Sequence, residues 1–268
     1  IMPSWCHHKF FSLLAKISLM LLAFWFVSRG IDVAEMKAML RSQNRFVFVE
    51  AIFFITVQIL LGAARWRVII NALVVGRSVI SKLSTLKTYY ISIFFNCCLP
   101  GTVGGDVVRV FLVKSEQVPL PLAISSVVID RMVALLALGV MGVLTMPLFA
   151  AYLGFSAWLL LPMLCVLIVF SVWILINLER IIPKIPFLKK LHWLEHLLQN
   201  IRLMIARPQP TAWSLFYAIV AHVNYCLAAY FLAESLGSPI SLLDALTLVP
   251  WVLLISIIPI SIGGWGLR

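Results

Sequence analysis

Residues 100–109 read PGTVGGDVVR and interrupt an otherwise long apolar segment. Proline has no backbone N–H, and three glycines fall within five residues, so the stretch predicts a break in the helix. Backbone outside a helix is tolerated at membrane depth only where protein or a water-filled cavity satisfies its polar groups. Because Asp106 and Arg109 lie at the end of this stretch, the interrupted segment predicts a binding site.

The same pattern occurs again at residues 259–268, which read PISIGGWGLR and align with the first stretch without a gap. The proline, the glycine pair and the arginine are identical, which favours an internal duplication. Segments interrupted by Gly or Pro in both halves of a membrane protein indicate the binding site of a transporter. Trp265 stands where the first copy has Asp106, so the two halves are expected to differ chemically.

The composition is typical of a membrane protein. Hydrophobic residues make up 63% of the 268 residues and charged residues 12%, with a mean hydropathy of +1.07. Soluble domains are roughly 45–50% apolar and about 25% charged. The sequence lacks the alternating strands of a membrane barrel, so we predict an all-α polytopic membrane protein. The net charge of +11 comes from basic residues in loops, as the positive-inside rule expects, and no nucleic acid is predicted as a partner.

The apolar segments predict five membrane spans and two interrupted elements. The spans are placed at residues 10–28, 46–64, 120–148, 157–177 and 211–233. The interrupted elements are residues 88–113 and the segment that follows residue 245. Residues 65–87 carry five basic residues and no acidic one, so we predict a cytoplasmic loop there and a cytoplasmic N-terminus.

Residues 178–210 hold six basic and two acidic residues and are also placed on the cytoplasmic side. Apolar residues recur there at steps of three and four, among them Leu198, Ile201 and Ile205. This spacing predicts an amphipathic helix that lies on the anionic leaflet.

The order of these elements predicts an inverted repeat of transmembrane helices with two re-entrant elements. By loop charge, the first element enters from the inside and the second from the outside. We expect one transmembrane domain over residues 1–268, with repeat one at about 10–148 and repeat two at about 157–268. The second repeat stops one span short, so we expect a fragment truncated at its C-terminus.

Two pairs of charged residues lie in apolar surroundings, where charges are costly and often mark function. Asp106 and Arg109 are either an ion pair that holds the interrupted element together or a site for a charged lipid head group. In the second case, glycine N–H groups and a helix N-terminus would help to hold phosphate. Asp130 and Arg131 either form salt bridges to neighbouring helices or belong to the same site.

No motif for nucleotide binding or nucleophilic catalysis is present, which disfavours an energised pump and a hydrolase. His192 and His196 have the spacing of a metal pair but no convincing third ligand. We therefore predict no catalytic residue, no metal and no cofactor.

Several residues together resemble the lysylphosphatidylglycerol synthase transmembrane-region family. They are Tyr89-Tyr90, Phe94-Phe95-Asn96, LPGTVGGDVVR, Asp130-Arg131 and IPISIGGWGLR. The resemblance implies a flippase-like domain of a bacterial or archaeal cell membrane, without the soluble aminoacyl-transferase domain of the full synthases. It also implies substrate-binding roles for Asn96, Pro100, Gly104, Gly105, Asp106, Arg109, Asp130, Arg131, Pro259, Ser261, Gly263, Gly264, Trp265 and Arg268.

The leading functional hypothesis is translocation of a phospholipid or a polyprenyl-phosphate lipid through a polar cavity between the repeats. One alternative is an integral-membrane transferase that acts on lipid head groups. A second is a membrane scaffold for a partner glycosyl- or acyltransferase. A membrane lipid is the predicted partner, while a lipid-modifying enzyme and a homo-oligomer stay open.

Overall fold

A computed structural model of the chain describes residues 46–74, 80–98, 104–114, 118–153 and 192–257. These ranges contain seven α-helices and no strand, which confirms the all-α prediction. The helices are α1 (Phe46–Leu73), α2 (Lys82–Cys98), α3 (Gly104–Lys114), α4 (Leu120–Leu153), α5 (His192–Ile205), α6 (Pro208–Ser235) and α7 (Leu242–Ile257).

Helices α1, α4 and α6 are long and apolar enough to cross a membrane. A helix of 28 residues, such as α1 or α6, is about 42 Å long, whereas the hydrocarbon core is about 30 Å thick. The predicted spans at 46–64, 120–148 and 211–233 are thus confirmed as parts of longer helices. The predicted spans at 10–28 and 157–177 lie outside the described residues.

The predicted start of a loop at residue 65 is wrong, because α1 continues to Leu73. The side chains of Trp66, Ile69 and Ile70 are fully buried on this extension, so packing keeps the backbone helical. Arg65 is also buried rather than exposed in a loop. Its charge therefore lies inside the bundle.

The predicted interruption separates α2 from α3. A Ser81 hydroxyl caps the start of α2 by accepting the Ser84 N–H at 3.1 Å. At the other end of α2, Asn96 Oδ1 accepts the Gly105 N–H of α3 at 2.8 Å. Val113, near the end of α3, packs in one cluster with Ile80, which precedes α2. The two helices therefore form an antiparallel hairpin, called here the α2–α3 hairpin.

The predicted amphipathic helix is confirmed as α5, but its surroundings differ from the prediction. Leu197, Ile201 and Met204 pack in a cluster with residues of α1 and α4. The apolar face thus lies against protein instead of the leaflet, because these two helices offer an apolar surface of their own. Ile205, predicted on the apolar face of the helix, is 59% exposed.

Charge divides the described part of the bundle into two ends. Glu50 at the start of α1 accepts a hydrogen bond from Ser235 at the end of α6, at 2.7 Å. This acidic end carries Glu50, Glu234 and Asp244. The basic end, where α1, α3 and α5 finish and α2, α4 and α6 begin, carries Arg67, Lys82, Lys87, Lys114, Arg202 and Arg207 with one acid, Glu195.

Candidate functional site

Five charged side chains join three helices in one chain of ion pairs. Arg65 comes from α1, Asp106 and Arg109 from α3, and Asp130 and Arg131 from α4. The order of contacts is Arg65, Asp130, Arg109, Asp106, Arg131, so arginine and aspartate alternate. We call these five residues the charge cluster.

The inner part of the charge cluster centres on Asp130, whose side chain is 2% exposed. Its Oδ1 accepts a hydrogen bond from Arg65 Nε at 2.7 Å, and its Oδ2 accepts one from Arg65 Nη2 at 3.3 Å. Arg109 Nη1 also donates to Oδ2, at 3.2 Å. Two guanidinium groups thus compensate one buried carboxylate.

The outer part of the charge cluster centres on Asp106. Its Oδ1 accepts from Arg109 Nη2 at 3.2 Å and its Oδ2 from Arg131 Nε at 2.9 Å. The Asp106 side chain is 14% exposed, whereas that of Arg131 is 51% exposed. The charge cluster therefore runs from the sealed interior to an accessible edge at Arg131.

Two aromatic rings enclose the Arg109 guanidinium. Its central carbon lies 4.8 Å from the ring centroid of Trp66 and 5.3 Å from that of Tyr89. Such cation–π contacts stabilise a desolvated cation by up to about 2 kcal/mol. Trp66 is itself fixed by a 3.2 Å hydrogen bond from its Nε1 to the Ser126 hydroxyl. Within the described part of the chain, the buried Arg109 Nε has no hydrogen-bond partner. The ion pairs of its two other nitrogens and the ring contacts therefore hold this side chain.

Close backbone packing brings α3 to this position. A Cβ atom on Gly105 would overlap the carbonyl oxygen of Ser92 in α2, so only glycine allows the two helices to approach so closely. The Gly105 N–H is satisfied by Asn96 of α2. Asp106 lies in the first turn of α3, where the helix dipole favours a negative charge.

The charge cluster lies away from the ends of α1 and α4. Arg65 is eight residues from the end of α1, and Asp130 is ten residues from the start of α4. At 1.5 Å per residue these separations are about 12 and 15 Å. Because both helix termini belong to the basic end, the charge cluster lies about 12–15 Å from that end, measured along the helices.

Four of the predicted site residues meet in this cluster, namely Asp106, Arg109, Asp130 and Arg131. The predicted ion pairs are present in the structure. Asp106 pairs with Arg109 within α3, and the adjacent Asp130 and Arg131 form salt bridges to other helices. Asn96 and Gly105 position α3, and Gly104 begins it. The predicted residues outside the described part are Pro100, Pro259, Ser261, Gly263, Gly264, Trp265 and Arg268.

Sequence reasoning missed Arg65 and the aromatic pair around Arg109. Arg65 ends an apolar run and precedes several basic residues, so it resembled a loop residue. Apolar residues continue at helical spacing through Trp66, Ile69 and Ile70, which are buried in the structure. This spacing could have indicated that Arg65 lies within a helix.

Helix α6 contributes polar contacts of another kind. Asn224 Nδ2 donates to the Phe54 carbonyl of α1 at 3.1 Å and to Gln58 Oε1 at 3.0 Å. His222 Nε2 lies 3.0 Å from the Ala134 carbonyl of α4. These are bonds between neighbouring helices, as expected for polar residues in apolar spans. Within the described ranges, no three His, Cys, Asp or Glu side chains are grouped as a metal site would require.

The charge cluster and the first glycine motif both fall in the region matched by a known family. The sequence model described as "Lysylphosphatidylglycerol synthase TM region" matches residues 13–268. Comparisons with curated proteins and with solved structures gave no match. The family match therefore covers both interrupted stretches, at 100–109 and 259–268.

Proposed function

The chain belongs to the lysylphosphatidylglycerol synthase transmembrane-region family, and on this premise we propose that it translocates a phospholipid or another phosphate-containing lipid. Family membership supports a lipid-related role in a membrane. The single observation that carries the finer proposal is the charge cluster, a chain of ion pairs that leads from the buried Asp130 to the exposed edge at Arg131.

The balance of charge in the cluster favours an anionic ligand. Three arginines face two aspartates, so the five side chains carry one net positive charge. A charged side chain at mid-bilayer costs about 2.5–3.5 kcal/mol on insertion scales, and a ligand of opposite charge offsets that cost. The planar guanidinium matches the geometry of phosphate oxygens. A lipid phosphate would compete with the Asp106 carboxylate for Arg131.

The length and position of the α2–α3 hairpin support a path for the lipid head group into the membrane. Its helices of 17 and 11 residues are about 25 and 17 Å long, shorter than a hydrocarbon core of about 30 Å. Both open ends of the hairpin lie at the basic end, while Asp106 and Arg109 near its tip reach the charge cluster. We therefore propose a re-entrant hairpin that enters the membrane from the basic side.

The two charged ends support an orientation. Basic residues gather on the cytoplasmic side of membrane proteins, so the basic end is proposed to face the cytoplasm. A multi-pass protein of the cell membrane with a cytoplasmic N-terminus fits this arrangement. An inverted repeat whose second interrupted element, residues 259–268, enters from the opposite side would complete an alternating-access pathway.

Head-group transport in proteoliposomes tests the proposal. The full-length protein would be reconstituted with fluorescent phosphatidylglycerol, and transport would be compared among wild type, Arg131→Gln and Asp106→Asn. Arg131→Gln should slow transport about tenfold or more, since a hydrogen bond to a charged group contributes about 1.5–3 kcal/mol. Asp106→Asn removes the competing carboxylate, so we expect tighter retention of the lipid by purified protein together with slower transport.

Lys82→Gln is the matched control, because it removes a positive charge at the basic end without touching the charge cluster. An equal loss of transport in Lys82→Gln would refute the assignment of the site. A wild type that converts the lipid to a new species on chromatography would replace the proposal with a transferase. If the wild type neither transports nor converts the lipid, the result would support a scaffold for a partner enzyme.

A further inference from the structure

A groove of about 340 Å³ opens at the basic end, between the last turns of α1 and the first turns of α6. Its lining is made by Val68, Asn71, Ala72, Arg207, Gln209, Pro210 and Trp213. None of these side chains belongs to the charge cluster. The volume falls in the range of about 300–1,000 Å³ that small-molecule sites occupy.

Among the described residues that line this groove, Arg207 is the one with a charged side chain. Its Nη1 donates to the Ala72 carbonyl at 2.8 Å, near the C-terminal end of α1, which fixes the direction of the guanidinium. A guanidinium has five N–H donors. Among the residues that the structure describes, Arg207 makes this one side-chain hydrogen bond, so donors remain for an anionic ligand.

Apolar and aromatic groups form the rest of the groove. Val68, Ala72 and Pro210 give it an apolar wall, and Trp213 is 49% exposed at its edge. Trp213 packs edge to face on Phe216 with the ring centroids 5.6 Å apart. Tryptophan at a helix end is typical of the level of the lipid head groups.

We propose that this groove binds an anionic phospholipid of the leaflet that faces the basic end, with its phosphate on Arg207 and an acyl chain on the apolar wall. Charge complementarity favours this occupant, since six basic residues and one acidic residue are described at this end. Basic pockets between transmembrane helices bind lipid head groups for this reason. The site is separate from the charge cluster, so a lipid bound here is a resident ligand rather than transported substrate.

Native mass spectrometry of the full-length protein in detergent tests this site. Retention of phosphatidylglycerol and of phosphatidylcholine would be titrated for wild type, Arg207→Gln and Val68→Trp. Arg207→Gln removes the basic partner, and Val68→Trp fills the groove while leaving Arg207 in place. Arg207→Gln should weaken phosphatidylglycerol retention about fivefold, the value expected for one basic residue near the surface. Val68→Trp should also weaken it, because the acyl chain loses its place on the apolar wall.

Lys82→Gln serves as the control, because it removes one positive charge from the same end outside the groove. An equal loss in Lys82→Gln would mean diffuse electrostatic attraction and would overturn the proposal. Unchanged binding in Val68→Trp, or equal retention of phosphatidylcholine by wild type, would overturn it as well. If Val68→Trp does not fold, Trp213→Ala takes its place with the same expected loss. Because the readout is binding, its failure is distinct from a failure of transport.

Discussion

Asp130 is the carboxylate that two buried arginines share. Asp130→Asn keeps the size of the side chain and removes its charge, so an amide with one accepting oxygen replaces a carboxylate that accepts three N–H bonds. Hydrogen bonds between membrane helices average about 0.6 kcal/mol, so counting bonds alone would give about 2 kcal/mol. Removing one partner of a buried ion pair costs about 3–5 kcal/mol, because the other charge is left uncompensated. We expect the free energy of unfolding to fall by about 3–5 kcal/mol.

Unfolding by SDS in mixed micelles, followed by circular dichroism, measures this loss. Asp130→Asn would be compared with Arg65→Gln and with the double variant. The double variant should cost at least about 1 kcal/mol less than the sum of the single changes, since the second change removes a charge that the first left uncompensated. Glu195→Gln, on the exposed face of α5, is the control and should change stability by at most about 0.5 kcal/mol. Additive single effects, or an Asp130→Asn loss no larger than that of the control, would refute the argument.

Two further substitutions probe contacts between helices. Gly105→Ala adds a methyl group against the Ser92 carbonyl and should lower the free energy of unfolding by more than about 2 kcal/mol, whereas Gly237→Ala, at φ 77° in open space, should cost about 1 kcal/mol. The same SDS titration would compare the two, and equal losses would contradict the close approach of α2 and α3. Asn224→Leu should lower the free energy of unfolding, measured by thermal unfolding, by about 1–2 kcal/mol, because it removes the donor to the Gln58 amide oxygen. The double variant Asn224→Leu with Gln58→Leu should recover part of that loss.

The all-helical architecture and much of the charge cluster could be predicted from the sequence. Apolar runs longer than about 20 residues indicate membrane helices by their length alone. Asp106, Arg109, Asp130 and Arg131 stand out because a charge inside such a run needs a partner. A single sequence therefore indicates which residues have to pair.

The choice of partners could not be predicted, because it depends on helix packing. Arg65 and Asp130 are 65 residues apart, and no local pattern relates them. The structure also gives Asn96 a contact that the sequence did not indicate, since its side chain accepts the Gly105 N–H across the interruption. Substrate binding by Asn96 stays a prediction. The apolar face of α5 had two possible surfaces to cover, the leaflet or other helices, and only the folded bundle decides between them.

Charge and burial together separate two roles within the cluster. Arg65, Asp130, Arg109 and Asp106 sum to zero formal charge, and their side chains are between 2% and 14% exposed. A neutral set of alternating charges is the least costly one to bury, so these four side chains can hold α1, α3 and α4 together. Arg131, which pairs with Asp106, has the most exposed side chain of the charge cluster, at 51%. Changes in Arg65, Asp130 or Arg109 should therefore alter unfolding most, whereas a change in Arg131 should alter lipid handling with little effect on stability.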